Sequence, residues 1–229
     1  MMDIFNSLFA QYQGVDTWLI ILELAAVAFG MASVWLIRRG SLWGFPVGIA
    51  STAGFVWLLW VYTLFGDMLI NAYYTVLSVY GWAKWAKRQQ KDDGFRISPF
   101  ERRDWFACIA LILFSVVFVG SVYWFKPYIN NGFSWQGISA GFTHFTWMDY
   151  TDIFTTALFL VAMWLMAESK IAHWILWIVA DTVSVPLYFY KGLTFSAFQY
   201  VIFTLIAISG YATWKKISTK QAATFTALP

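Results

Sequence analysis

Apolar runs of about twenty residues, the length that crosses a bilayer as a helix, recur along the chain between short clusters of Arg, Lys, Gly and Asn. Seven such runs, roughly 18–37, 43–63, 67–86, 105–124, 152–168, 172–190 and 195–214, predict seven transmembrane helices. Ahead of them, Ile4, Phe5, Leu8, Phe9 and Tyr12 fall at helical spacing. That pattern predicts a short interfacial amphipathic helix, and the lack of a positively charged start argues against a signal peptide. The Gly- and aromatic-rich stretch between Lys126 and Thr151 predicts an outer loop resting on the membrane interface.

Composition agrees with a polytopic membrane protein. Of 229 residues, 60% are hydrophobic and 12% charged, and the mean hydropathy is +0.62. A soluble chain of this length needs more charge to solvate its surface. With seven spans, thirteen of the fifteen Lys and Arg residues fall on one side, and only Lys126 and Lys191 on the other. The positive-inside bias then puts the N-terminus outside and the C-terminus in the cytoplasm. The net charge of +3 reflects that topology and not nucleic-acid binding. Cys108 is the single cysteine, so no intrachain disulfide forms, and no Cys/His cluster suggests a metal or cofactor.

Two segments resemble each other. Gly81-Trp82-Ala83-Lys84-Trp85 closes the third run, and Gly210-Tyr211-Ala212-Thr213-Trp214 closes the seventh. Asn71 precedes the first of these glycines, and Gln199 the second, at nearly the same distance. A triplet of helices begins and ends on opposite faces, so two parallel triplets need one further helix between them. The almost featureless fourth run suits that linker. The expected fold is therefore an all-α membrane protein of seven transmembrane helices, two parallel three-helix repeats joined by a linker helix (3+1+3), an arrangement used by transporters. Its parts are an interfacial segment (1–16), repeat 1 (17–90), a cytoplasmic loop, linker helix and outer loop (91–150), repeat 2 (151–217) and a cytoplasmic tail (218–229).

Candidate chemistry concentrates in the sixth run. At about 100° per residue, Trp174, Trp177, Asp181, Ser184 and Tyr188 share one narrow stripe. A carboxylate near mid-membrane costs at least ~2.5–3.5 kcal/mol, so Asp181 should face a cavity or protein interior. Asn71 and Gln199 are candidate ligand contacts, with Tyr74 and Phe203 as aromatic walls; interhelical hydrogen bonding is the alternative for both amides. Glu23 reads as a partner for another helix, and Asp67 and Asp152 as N-caps. Pro46 and Pro186 predict interrupted helices at corresponding places. Trp18, Trp43, Trp85, Trp105, Trp124, Trp147 and Trp214 read as interfacial belt residues.

LFGDMLIN (64–71), SVYGW (78–82), the Trp174, Trp177, Asp181 run and FTLIAISG (203–210) together resemble the PnuC nicotinamide riboside transporters of bacteria, over about residues 20–216. The resemblance implies a fold related to the SWEET sugar transporters, a homotrimer in the bacterial inner membrane, and facilitated diffusion of nicotinamide riboside. It also implies trapping of the substrate by a separate cytoplasmic riboside kinase. Trp174, Trp177, Asp181, Asn71 and Gln199 would line the riboside site. Asp181 stands where the family often has Asn, and Asn71 where it often has Gln. Relatives carry thiamine or riboflavin, so those vitamins, and proton coupling through Asp181 or Glu23, are the alternatives. A retinal photoreceptor would need a mid-membrane lysine, and an intramembrane enzyme a nucleophile with its base or metal ligands; the spans supply neither.

Overall fold

The computed structural model describes residues 15–226 apart from 63, 93, 138, 140, 192 and 193. The amphipathic helix expected over the first residues lies outside them. Seven long helices carry the described chain: α1 (Thr17–Arg38), α2 (Gly44–Val61), α3 (Phe65–Asp92), α4 (Arg102–Trp124), α5 (Trp147–Ala167), α6 (Ala172–Tyr190) and α7 (Thr194–Thr226). Between α4 and α5 lie a helical turn at Lys126–Asn130 and a 3-10 turn at Phe142–His144. Six of the seven helices are long and apolar enough to cross a membrane; α3 is not among them. Its 28 residues include Asn71, Tyr73, Tyr74, Thr75 and Ser78, a polar content that only a helix facing protein can carry.

Packing follows chain order within two groups. Helix α1 packs on α2 and α2 on α3; α5 packs on α6 and α6 on α7. The groups meet where α3 packs on α5 and where α1 packs on α7. These contacts close a ring in the order α1, α2, α3, α5, α6, α7, while α4 leans on α5.

The first turn of each group is built alike. After α1, Ser41 N–H donates to Leu36 C=O (3.0 Å) and Gly40 N–H to Ile37 C=O (2.9 Å). After α5, Lys170 N–H donates to Leu165 C=O (2.9 Å) and Ser169 N–H to Met166 C=O (2.9 Å). Both are Schellman caps, which need a left-handed residue. Gly40 supplies it at φ 68° and Ser169 at φ 59°. The third helices approach the second just as closely. A Cβ on Gly81 would lie 2.5 Å from the Phe45 ring, and one on Gly210 would lie 2.7 Å from the Trp174 ring.

Trp85 and Trp214 correct the expectation of belt residues. They are 1% and 0% exposed, because each indole has a backbone acceptor to reach. Trp85 Nε1 donates to Ala167 C=O at the end of α5 (3.2 Å), and Trp214 Nε1 to Ile37 C=O at the end of α1 (3.2 Å). Each third helix thus caps the first helix of the other group. The expected N-caps are also displaced. Asp67 lies in the first turn of α3, and Asp152 lies inside α5, whose cap is Thr146. Asp152 accepts instead from Lys191 Nζ (2.6 Å) and Tyr123 Oη (2.7 Å). Pro46 sits in the first turn of α2, where its missing N–H has no intrahelical acceptor to lose. Pro186 alone of the two lies deep in its helix, so the two do not interrupt corresponding places.

Charges at the end of the bundle holding the α5–α6 turn are paired. Lys170 Nζ meets Asp104 Oδ2 at 2.6 Å, with 2% and 0% of the two side chains exposed. Glu168, buried beside them, accepts from Lys84 Nζ and Tyr80 Oη. Burial raises the Glu168 pKa, but the hydrogen bonds from Lys84 and Tyr80 and the charges of Lys84 and Arg88 outweigh it and hold the carboxyl below its ordinary 4.5. A depressed carboxyl pKa stabilises the fold above the unfolded value and loses that contribution as pH falls through the folded one.

Lys170→Met takes the close, buried cation from the Asp104 carboxylate, leaving only exposed Arg103 at 3.9 Å, and is expected to cost about 3–5 kcal/mol of stability. Adding Asp104→Asn should restore most of the loss, as read by thermal unfolding of the detergent-solubilised variants. Additive losses in the double variant would show that the two groups do not act as a pair.

Candidate functional site

Helix α6 presents one face inward. Trp174, Asp181 and Ser184 are 1%, 2% and 1% exposed, and Trp177 and Tyr188 are half-buried on the same stripe. Ile175 and Val179 face outward at 47% and 40%. The stripe has two parts. Trp174, in the first turn, is wedged against Gly210 and meets Trp214 edge-on at 5.7 Å. It joins a core of Phe45, Trp85, Met163 and Trp214, and its Nε1 has no hydrogen-bond partner among the described residues.

From Trp177 onward the stripe forms a second, more polar cluster. Trp177 lies 5.2 Å from Phe159 of α5. Phe159 in turn stacks near-parallel on Tyr200 of α7 at 6.1 Å. Tyr200 packs on Tyr188 at 4.9 Å. Tyr74 of α3 and Tyr200 are both within electrostatic reach of Asp181. Four helices, α3, α5, α6 and α7, therefore bring aromatic rings and phenol groups around one buried carboxylate. Asp181 Oδ1 has no hydrogen-bond partner among the described residues. A buried acceptor without a donor costs its full desolvation.

The remaining expected residues are more dispersed. Asn71 is half-buried, and its Nδ2 donates to Asp67 C=O one turn back (3.0 Å). Thr75 Oγ1 donates to Asn71 C=O (2.9 Å) and lies 2.7 Å from Thr52 Oγ1 of α2. Gln199 is half-buried on α7. The Phe203 ring lies beside Gly30 of α1, at the α1–α7 seam. Sequence reasoning missed two residues. Tyr200, not Gln199, precedes Gly210 by the same spacing that separates Asn71 from Gly81, and that register was the available signal. Phe159 sits in an unbroken apolar run with no signal at all. Among the described residues no group of His, Cys, Asp and Glu is arranged to hold a metal.

Aromatic faces around a carboxylate suit a flat, positively charged ring, and the phenol hydroxyls add donors and acceptors for a polar appendage. Comparison with known proteins agrees with a carrier. The family model described as nicotinamide mononucleotide transporter matches residues 20–216. The chain belongs to that family of transporters. The nicotinamide riboside transporter PnuC of Escherichia coli K12 is 21% identical over 202 residues, 84% of each chain. The riboflavin/roseoflavin transporter RibM of Streptomyces davaonensis is 28% identical over 204 residues, 87% of this chain and 86% of its own. A crystal structure of the vitamin B3 transporter PnuC shares the fold, with a TM-score of 0.61 at 18% identity over 96% of this chain and 89% of that one. Family membership and the apolar helices make this a multi-pass membrane protein.

If Asp181 is held unpaired in the substrate-free protein, replacing it with an apolar residue relieves desolvation. Asp181→Leu should raise the substrate-free melting temperature, by about 2–8 °C for a gain of 1–2 kcal/mol. A lower melting temperature would mean that the carboxylate already has a stabilising partner.

Proposed function

We propose that this protein carries nicotinamide riboside across the bacterial inner membrane by facilitated diffusion. The observation that supports the reading best is the buried, unpartnered Asp181 carboxylate among aromatic rings. Nicotinamide riboside is a flat pyridinium cation bearing ribose hydroxyls. Trp177 and the tyrosines offer ring faces to the cation, and Asp181 offers a counter-charge. Ser184, Tyr188 and Tyr74 offer hydroxyls to the ribose. Asn71 and Gln199 extend the polar lining, Phe203 adds an apolar wall at the α1–α7 seam, and Trp174 forms the floor. Riboflavin, which the Streptomyces relative is named for, is a neutral flavin and would leave Asp181 uncompensated. Thiamine is a flat cation and remains the second candidate.

The same reading makes α1–α3 and α5–α7 two parallel repeats joined by α4, with α3 crossing the membrane as the seventh span. Matching Schellman caps, matching glycine approaches and the reciprocal tryptophan bonds support it. The contacts of α3 with α5 and α7 with α1 exchange under a twofold axis between the repeats. The N-terminus lies outside, and the cation-rich end, where Lys84, Arg88, Arg103 and Lys170 converge, lies in the cytoplasm. Lys126 and Lys191, the two cations of the opposite side, pair with Asp149 and Asp152. Three copies form the working unit, and a cytoplasmic kinase makes uptake unidirectional by phosphorylating the riboside.

Calorimetry on the purified protein with nicotinamide riboside, thiamine and riboflavin tests the substrate. Riboside should bind tightest, with riboflavin at least about tenfold weaker, a difference of ~1.4 kcal/mol. Trp177→Ala and Asp181→Ala should each weaken riboside binding at least about tenfold with the fold retained, and unchanged affinity would return the stripe to a structural role. In proteoliposomes riboside should equilibrate with no imposed ion gradient; concentrative uptake abolished by a protonophore would replace uniport with proton coupling.

A further inference from the structure

The segment from Gly94 to Glu101, between α3 and α4, does not hang free beneath the bundle. Phe95 lies 4.6 Å from Trp85 and 4.8 Å from Trp214, ring to ring. Its ring also closes over Gly40, where any Cβ would come within 2.5 Å of it. The segment is anchored along its length. Gln221 clasps its backbone at two points, accepting from Ile97 N–H (3.2 Å) and donating to Phe95 C=O (3.2 Å). Ser98 N–H donates to Ser169 C=O (3.0 Å), and Arg88 Nη1 to Ser98 Oγ (2.6 Å).

Location gives this strap its meaning. Trp85 and Trp214 occupy the same position in the two helix triplets and touch each other at 5.8 Å. Two equivalent groups in mutual contact must straddle the axis relating their triplets. Phe95, almost equally distant from both, therefore lies close to the plane between the triplets that contains that axis. A carrier that holds substrate between two repeats must release it along the seam the axis marks. Among the described residues the strap has no counterpart in the second triplet, where α7 continues as helix past Trp214 to Thr226 and presents Gln221. The end of the bundle that holds these two tryptophans is thus covered by a segment outside the repeats. Gly94, at φ 150°, is a backbone conformation that side chains disfavour and starts the strap where it leaves α3.

We propose that the strap 94–101 is the plug of the inner gate. Phe95 seals the seam by lying across the touching Trp85 and Trp214 rings, and substrate leaves on that side only when the strap swings out and releases the Gln221 clasp. This rests on the two-repeat transporter reading above and adds which segment moves.

The test joins the strap to α7. In a Cys108→Ala background, Ile97→Cys and Gln221→Cys are bridged by a short bifunctional thiol reagent, and the protein is reconstituted in liposomes. Bridging should slow riboside equilibration at least tenfold while calorimetric affinity stays within twofold, and cleaving the bridge should restore the rate. Full-rate transport by the bridged protein overturns the plug. A readout without substrate separates this from failure of the transport reading. Hydrogen exchange at the Ile97 and Ser98 amides should quicken at least tenfold in Phe95→Ala, while exchange in α1 stays unchanged. Unaltered exchange at those two amides overturns the plug whatever the protein carries. Unbridged protein that moves none of the three vitamins overturns the functional reading alone, and the exchange result then decides the plug.

Discussion

The contact between Trp85 and Trp214 is the interaction on which the rest of the structure depends. Each indole is buried and must find an acceptor for its N–H, since an unsatisfied donor in a dry interior is costly. The first helix of the opposite triplet ends in a Schellman cap and has carbonyls to spare there. Trp85 takes Ala167 C=O, and Trp214 takes Ile37 C=O. That exchange fixes how the two triplets meet, and places α3 on α5 and α1 on α7. It also fixes where Phe45 and Trp174 go, because each must pack on a glycine of the third helix of its own triplet.

Around this apolar knot the charged groups are sorted by depth. Glu168, Asp104 and Lys170 are almost wholly buried at one end, and each of the two carboxylates has a cation or hydroxyl within hydrogen-bond reach. Each also leaves one oxygen without a hydrogen-bond partner, as Asp181 further along α6 does, but among the described residues no cation stands beside Asp181. The contrast is physical: ends of helices and turns bring several side chains and free backbone groups together, so a charge there is readily neutralised. Deep between helices only the facing stripes are available. Here they offer rings and phenols and no cation.

Much of this was legible in the sequence. The apolar periodicity marked the helices, and the polar stripe of α6 was located residue by residue from helical spacing. The Gly-aromatic-Ala-x-Trp pair announced an internal correspondence. Other features were misread for identifiable reasons. Trp85 and Trp214 looked like belt residues because each stands at the end of an apolar run beside lysines, the place an interfacial tryptophan takes as readily as one that caps a distant helix. Asp152 looked like a cap because a carboxylate near a helix start usually is one, and its partner Lys191 lies a whole helix away. Tyr200 was passed over beside the more conspicuous Gln199, and Phe159 had no mark distinguishing it from any lipid-facing phenylalanine.

By itself the sequence determined the class of protein, its helices and the inward face of α6. These follow from hydropathy and from angles along one helix, which are local properties of a chain in a bilayer. Only the tertiary structure decided which helices share the carboxylate, which tryptophans are buried, and that Phe95 of a connecting segment ends up against both Trp85 and Trp214. Those outcomes depend on contacts between residues far apart in the chain, where a glycine's lack of a Cβ or a free carbonyl at a helix end selects the partner. Such complementarity has no signature until the helices are packed.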